Sequence, residues 1–232
     1  MKKFFLVLVC VLMLSSAVFA DSAETETILH DMQIQSRISD IGFNLLNANK
    51  IDVRMAFIYN KKKKGKHIVE PGISRRHIIM YQNDIQFASS DDEIAAFLAR
   101  EICRSAESYS GIGKGGVNSV QMKIAPKKYE IFFDERAVDF MVKAGYNPLA
   151  LITYIDKSAP QERFIRLIHH NKASRRLANI YEHIYYEYPS FLANNSYIEN
   201  KYYQHFLLSS IENRRKLQKK VESGKRYQIK YE

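Results

Sequence analysis

Between Ser90 and Ser105 the chain carries a helix start, a buried stripe and an inward charge, and together these restrict the fold more than any other stretch. Ser90 followed by Glu93 reads as a capping box, and Ile94, Phe97, Leu98 and Ile102 then recur at helical spacing. The pattern predicts a helix that buries one face. Glu101 falls on that face, a turn beyond Phe97 and Leu98, while Arg100 and Arg104 run one turn apart along its flank. A carboxylate aimed inward is costly unless it is paired or put to chemical use.

Zinc hydrolases supply one such use: two His at i and i+4 on a helix bind the metal, and a Glu beside the first acts as general base. In Arg100-Glu101-Ile102-Cys103-Arg104 both His places hold Arg. A guanidinium has no lone pair to donate and stays protonated, so it cannot replace a neutral imidazole as a ligand. By themselves these five residues favour an ordinary amphipathic helix in which Glu101 pairs with Arg104 at i+3.

The start of the chain sets the expected compartment. Lys2 and Lys3, an apolar run from Phe4 to Leu14 and the ending Val18-Phe19-Ala20 read as a secretory signal peptide over residues 1–20, with the mature chain beginning at Asp21. Val9 before Cys10 is not the small residue a lipoprotein attachment site needs. Removing the leader leaves Cys103 as the single cysteine, so no internal disulfide can form and stability must come from packing. Two of the 35 basic residues leave with it, so 33 stand against 25 acidic ones, a formal charge of +8. That charge favours anionic partners, which outside the cytoplasm are lipid headgroups and envelope polymers rather than nucleic acid, or it simply solvates the surface.

The remaining chain reads as helices around a small sheet. Ile28, Met32, Ile34, Ile38, Ile41 and Leu45 predict an N-terminal helix from Thr27 to about Asn47, and alternation predicts a strand from Ile51 to Tyr59 with Val53, Met55 and Phe57 on one face. Lys61 to Lys64 form a charged turn, His77 to Tyr81 a second strand, and Asn83-Asp84 a turn before the capped helix. His67 and His77 flank Pro71-Gly72 without ligand-like spacing, and the glycine-rich run from Gly111 to Gly116 reads as a flexible connection rather than a phosphate cradle. Glu130 and Asp134 stand one turn apart at the start of a helix that stops at Gly145, and Asn147-Pro148 opens another over Leu149 to Lys157. Beyond it, Leu177, Ile180, Tyr181, Ile184 and Tyr185 form one stripe, and Tyr203, Phe206, Leu207, Ile211, Leu217 and Val221 another. The final Arg214, Arg215, Lys216, Lys219 and Lys220 read as a solvated face.

Glu93 to Arg104, then Glu130-Ile131-Phe132-Phe133-Asp134 and Ala144-Gly145-Tyr146-Asn147-Pro148, resemble the HtpX and CAAX-prenyl-protease family of zinc metallopeptidases, peptidase family M forty-eight, in its soluble secreted form. The resemblance spans about Ile51 to Lys157. It implies a zincin-like fold and puts Glu101 on the catalytic base, Glu130 on the zinc-binding carboxylate, Asp134 on the acidic residue that supports the site, and Arg100 and Arg104 on the two His. His170 and Arg176 look like the family's later His-Pro and Arg element, with Asn171 in place of Pro. Glu135 with Asp139 is a rival register for the acidic pair, but lies too close to Gly145.

The expected fold is therefore α+β, mainly helical and zincin-like with a small sheet, with a leader at 1–20, a peptidase-family domain at 21–158 and a helical extension at 159–232 packed on it. The expected protein is a secreted or periplasmic pseudopeptidase that needs no cofactor and acts by binding, with an envelope protein, a polypeptide or an anionic envelope surface as partner and no nucleic acid. Its vestigial site is expected to be filled by a charge cluster of Arg100, Arg104, Glu101 and Glu130. The alternative is a working zinc endopeptidase that uses Glu130, His170 and a further ligand, with Glu101 activating water.

Overall fold

The computed structural model describes residues 26–62, 76–109, 126–158, 173–225 and 227–232. The leader, Lys63 and Lys64, His67, the glycine-rich run and His170 lie outside the described residues. The described chain is α+β and mainly helical, with one two-stranded parallel sheet.

Helix α1 covers residues 26–48 and buries Ile38, Ile41, Leu45 and Leu46, whereas Ile28, Leu29 and Met32 on its first turns are exposed. Only the second half of the expected stripe therefore meets the core. The helix lies close on strand β1, Ala56–Asn60, because Gly42 has no side chain: a Cβ there would stand 2.6 Å from the ring of Phe57. Gln35 fastens the same contact. Its amide donates to Phe57 O at 2.8 Å and accepts from Tyr59 N at 2.7 Å, so the side chain hydrogen-bonds the strand as a neighbouring backbone would.

Strand β1 pairs in parallel with β2, His77–Tyr81, in the register Ala56 to His77 through Asn60 to Tyr81. The first strand is shorter than alternation predicted. Lys50 takes a left-handed conformation, φ 53°, and turns the chain out of α1, so the residues just after it serve the turn while Met55 and Phe57 reach the core. Asn83-Asp84 does not form the expected turn either. Helix α2, Gln82–Phe87, starts directly at the strand end, where the Asp84 carboxylate accepts from Tyr81 N at 3.0 Å and satisfies an orphan donor of the first helical turn.

Helix α3, Asp91–Tyr109, follows, with Ser90 Oγ accepting from Glu93 N at 3.3 Å. The reciprocal half of the expected box is displaced by one residue, since Glu93 accepts from Ser89 N at 2.6 Å rather than from Ser90 N. Helix α4, Pro126–Lys143, begins a turn earlier than Glu130. It ends as predicted at Gly145, whose φ of +83° lets Tyr146 N bond back to Met141 O at 2.9 Å and Gly145 N to Val142 O at 3.1 Å. Asn147 caps helix α5, Leu149–Ser158, through Leu149 N, and its own N–H donates to Asp92 Oδ1 on α3, each at 3.0 Å.

Helix α5 is buried on nearly every side, from Leu149 through Ile155. Helices α6, Ala173–Glu187, and α8, Lys201–Ser209, pack against it, while α7, Pro189–Ala193, and α9, Ile211–Ser223, pack on α6. The stripe expected from Tyr203 to Val221 is thus divided at Ser210 between two helices. Leu177, Ile180, Ile184, Tyr203 and Phe206 share one continuous core with Ile38, Leu98, Ile102 and Leu151, so the last third of the chain completes the core begun by the first. A smaller cluster of Ala178, Leu217, Ile229 and Tyr231 ties residues 227–232 between α6 and α9. No helix among the described residues is long and apolar enough to cross a membrane.

Candidate ionic site of helices α3, α4 and α6

Helix α3 buries a wider face than its large residues indicate. Ala95, Ala96, Ala99 and Cys103 are buried beside Ile94, Leu98 and Ile102, and these small side chains let α4 approach closely. Arg100 is carried into that contact. Its side chain is 11% exposed, against 27% for Glu101 and 50% for Arg104, so the deepest of these three motif residues is an arginine and not the glutamate. Glu101 lies at the rim, 3.4 Å from Arg104, in the local i+3 pair that helical spacing predicts.

On α4, Glu130 and Asp134 occupy one face, as their spacing requires, and both are buried, Asp134 completely. Arg176 reaches them from α6. Its Nε donates to Asp134 Oδ2 at 2.8 Å and its Nη2 to Oδ1 at 2.9 Å, a bidentate grip, while Nε stands 3.6 Å from Glu130 Oε1. Arg100 closes on Asp134 from the opposite helix, with Nε 2.5 Å from Oδ1. That contact is ionic, for the Arg100 Nε–H is not aligned to form a hydrogen bond.

Arg100, Arg176, Asp134 and Glu130 therefore form a buried group whose two positive and two negative charges cancel. Burial alone would push the Asp134 carboxyl up, but the charges of Arg100 and Arg176 and the hydrogen bonds from Arg176 hold it below its ordinary value. Burial, followed by repulsion from Arg176, lowers the Arg100 guanidinium, with Asp134 opposing both. The structure thus brings Arg100, Glu130 and Asp134 together through Arg176 and leaves Arg104 and Glu101 paired at the edge. Spacing alone gave no signal that Asp134 would be the hub. Only the resemblance singled out Arg176, as the Arg of the family's later element, and it did not name Asp134 as the partner.

Two further polar centres flank the site. Glu93, fully buried at the start of α3, accepts from Lys157 Nζ at 2.6 Å on both oxygens and from Thr153 Oγ1 at 2.6 Å, which fastens α3 to α5. Asp139, from the rival acidic register, lies a turn beyond the cluster and faces α6, where His183 Nε2 at 2.8 Å and Tyr188 Oη at 2.9 Å meet its Oδ1.

The donor set does not fit a zinc ion. Arg100 and Arg104 cannot ligate one, and Glu130 and Asp134 both face the Arg176 guanidinium. No group of three or more His, Cys, Asp or Glu side chains among the described residues is placed to hold a metal.

Fold and site together define a mainly helical α+β protein in which three core helices are joined by a buried arginine–carboxylate cluster. The chain matches no known family model, no curated protein and no solved structure.

Proposed function

We propose that this chain is a secreted, non-catalytic relative of the zinc metallopeptidases that its motifs resemble, and that it acts by binding in the cell envelope. The observation that supports this reading is the Arg100–Asp134–Arg176–Glu130 cluster. In the resemblance Asp134 supports a metal site and Glu130 contributes a ligand, whereas here both are neutralised by guanidiniums, one of them at a vacated His position. The cluster joins α3, α4 and α6 by charge where the relatives would use an ion. A water-activating zinc site ordinarily needs three protein ligands, and Glu130 alone remains of that set among the described residues.

Proteolysis of casein and of an unfolded polypeptide, followed with and without a chelator, tests the reading. The wild type should show no chelator-sensitive cleavage. Hydrolysis that a chelator abolishes, and that also disappears in Glu101→Gln, would establish the zinc endopeptidase instead.

A further inference from the structure

Residues 227–232 form neither helix nor strand, yet they bury alternate side chains: Ile229 and Tyr231 are buried, while Gln228, Lys230 and Glu232 are exposed. The segment lies in a groove between two helical rows, Ser174, Ala178 and Glu182 on α6 and Asn213, Leu217 and Lys220 on α9. Ala178, the small residue in the middle of its row, packs with Leu217, Ile229 and Tyr231 in a cluster separate from the main core. The two anchors can therefore leave the groove without opening that core.

The groove holds the main chain of the segment as well as its anchors. Glu232 N donates to Asn213 Oδ1 at 3.2 Å, and Glu232 O accepts from Asn213 Nδ2 at 3.3 Å and from Ser174 Oγ at 2.7 Å. Side chains that pair with a main chain in this way hold an extended peptide whatever its sequence, and pockets for alternate side chains supply the selection. The Tyr231 hydroxyl donates to Glu182 Oε2 at 2.7 Å, and Lys220 Nζ holds the other oxygen of Glu182 at 2.6 Å. Phenylalanine in place of Tyr231 would leave the first of these bonds unmade. The Lys216–Glu232 pair at 2.6 Å is exposed and adds little.

We propose that this groove is a peptide-binding site closed by residues 227–232, and that its occupant in trans is an extended segment of another protein with an aliphatic residue two places before a tyrosine. A second copy of this chain is the poorer occupant, because its segment would make the same contacts at the added entropic cost of association. The chain's own segment, following α9 directly, competes at the roughly millimolar effective concentration that a short link gives. This assignment rests on the reading of the chain as a binding protein, and the two fail separately: peptide titration reads the groove, whereas chelator-sensitive cleavage reads the metal site.

Fluorescence anisotropy of a labelled, amidated peptide with the sequence of residues 227–232, titrated with the full mature chain, tests it. Tyr231→Ala, which vacates the groove, should bind the peptide saturably and at least tenfold more tightly than wild type, whose own segment competes. Serine at the peptide's counterparts of Ile229 and Tyr231 should abolish binding. Ile229→Ser, at the other anchor, is a second variant that should behave as Tyr231→Ala does, and both should retain a cooperative melting transition, because neither side chain belongs to the main core. No binding to either folded variant, equal binding to wild type and variants, or equal binding of the serine peptide would overturn the proposal. So would loss of the melting transition in both variants, because residues 227–232 would then be an indispensable part of the fold. A concentration-dependent wild-type dimer that Tyr231→Ala dissociates would equally contradict it, since the occupant would then be a second copy.

Discussion

Arg176 grips Asp134 through two hydrogen bonds of 2.8 and 2.9 Å, joining side chains that lie 42 residues apart. Both partners are buried, and Arg100 stands on the same carboxylate, so Asp134 balances more positive charge than any other acidic residue of the site. Removing one partner of a buried ion pair leaves the other uncompensated and typically costs about 3–5 kcal/mol. Asp134→Ala should therefore lower the urea midpoint severely, and Glu130→Ala, which loses a looser 3.6 Å contact with Arg176, should lower it less. Equal midpoints for Glu130→Ala and wild type would remove Glu130 from the cluster.

The two arginines of α3 should behave differently although they occupy equivalent places in the motif. Arg104 is half exposed and pairs with Glu101 at the surface, so Arg104→Ala should cost no more than about 1 kcal/mol. Arg100→Ala removes a buried cation from Asp134 and should cost several times that amount. Urea denaturation of the two variants checks the order, and a larger loss in Arg104→Ala would reverse the assignment of depth.

Two titrations give the protein opposite pH limits. Asp134 has a lowered folded pKa, so its contribution is present above its ordinary value of 3.8 and disappears as pH falls through the folded value. The acid limb of stability should accordingly be shallower in Asp134→Asn than in wild type. For His183, burial acts to lower the pKa, but the hydrogen bond it donates to Asp139 and the charges of Asp139, Glu135 and Glu187 raise it overall. Its contribution is complete below 6.5 and disappears as pH rises through the folded value. Urea midpoints at about pH 6 and about pH 9 should differ more in wild type than in His183→Gln, and identical differences would show that the Asp139 pair does not couple to folding.

Glu93 and Lys157 form a buried pair in which single and double replacement should diverge. Lys157→Met leaves the Glu93 carboxylate buried with Thr153 and Ser89 N as partners, and should destabilise by about 3–5 kcal/mol. The double change Lys157→Met with Glu93→Gln should recover part of that loss, because the uncompensated charge is gone. Additive losses in chemical denaturation would show that the two groups act independently.

Much of the fold was legible from local pattern. The strand at His77–Tyr81, the helix stop at Gly145 and the cap at Asn147 each depend on residues adjacent in sequence, and each formed as spacing predicts. What sequence periodicity could not show was the width of a buried face. Ala95, Ala96 and Ala99 weigh little in a hydrophobic stripe, yet they let α4 close on α3 and carry Arg100 inward while Glu101 moves to the rim. Likewise α2 appeared as a turn because Asn83-Asp84 suits either structure, and only the bond from Tyr81 N to Asp84 decides for a helix. At the site, the residues on α3 and α4 were legible as a charged group, but their partner Arg176 depends on a long-range contact that no local spacing encodes.

Zinc content of the purified mature protein, measured together with its melting temperature in the presence of zinc and of a chelator, tests most directly whether charge has replaced metal in the core. The Arg100–Asp134–Arg176–Glu130 cluster predicts no stoichiometric zinc and one melting temperature in all conditions, whereas Arg100→His with Arg104→His should unfold or become stabilised by added zinc. About one equivalent of zinc in the wild type, with a melting temperature that falls on chelation, would contradict it.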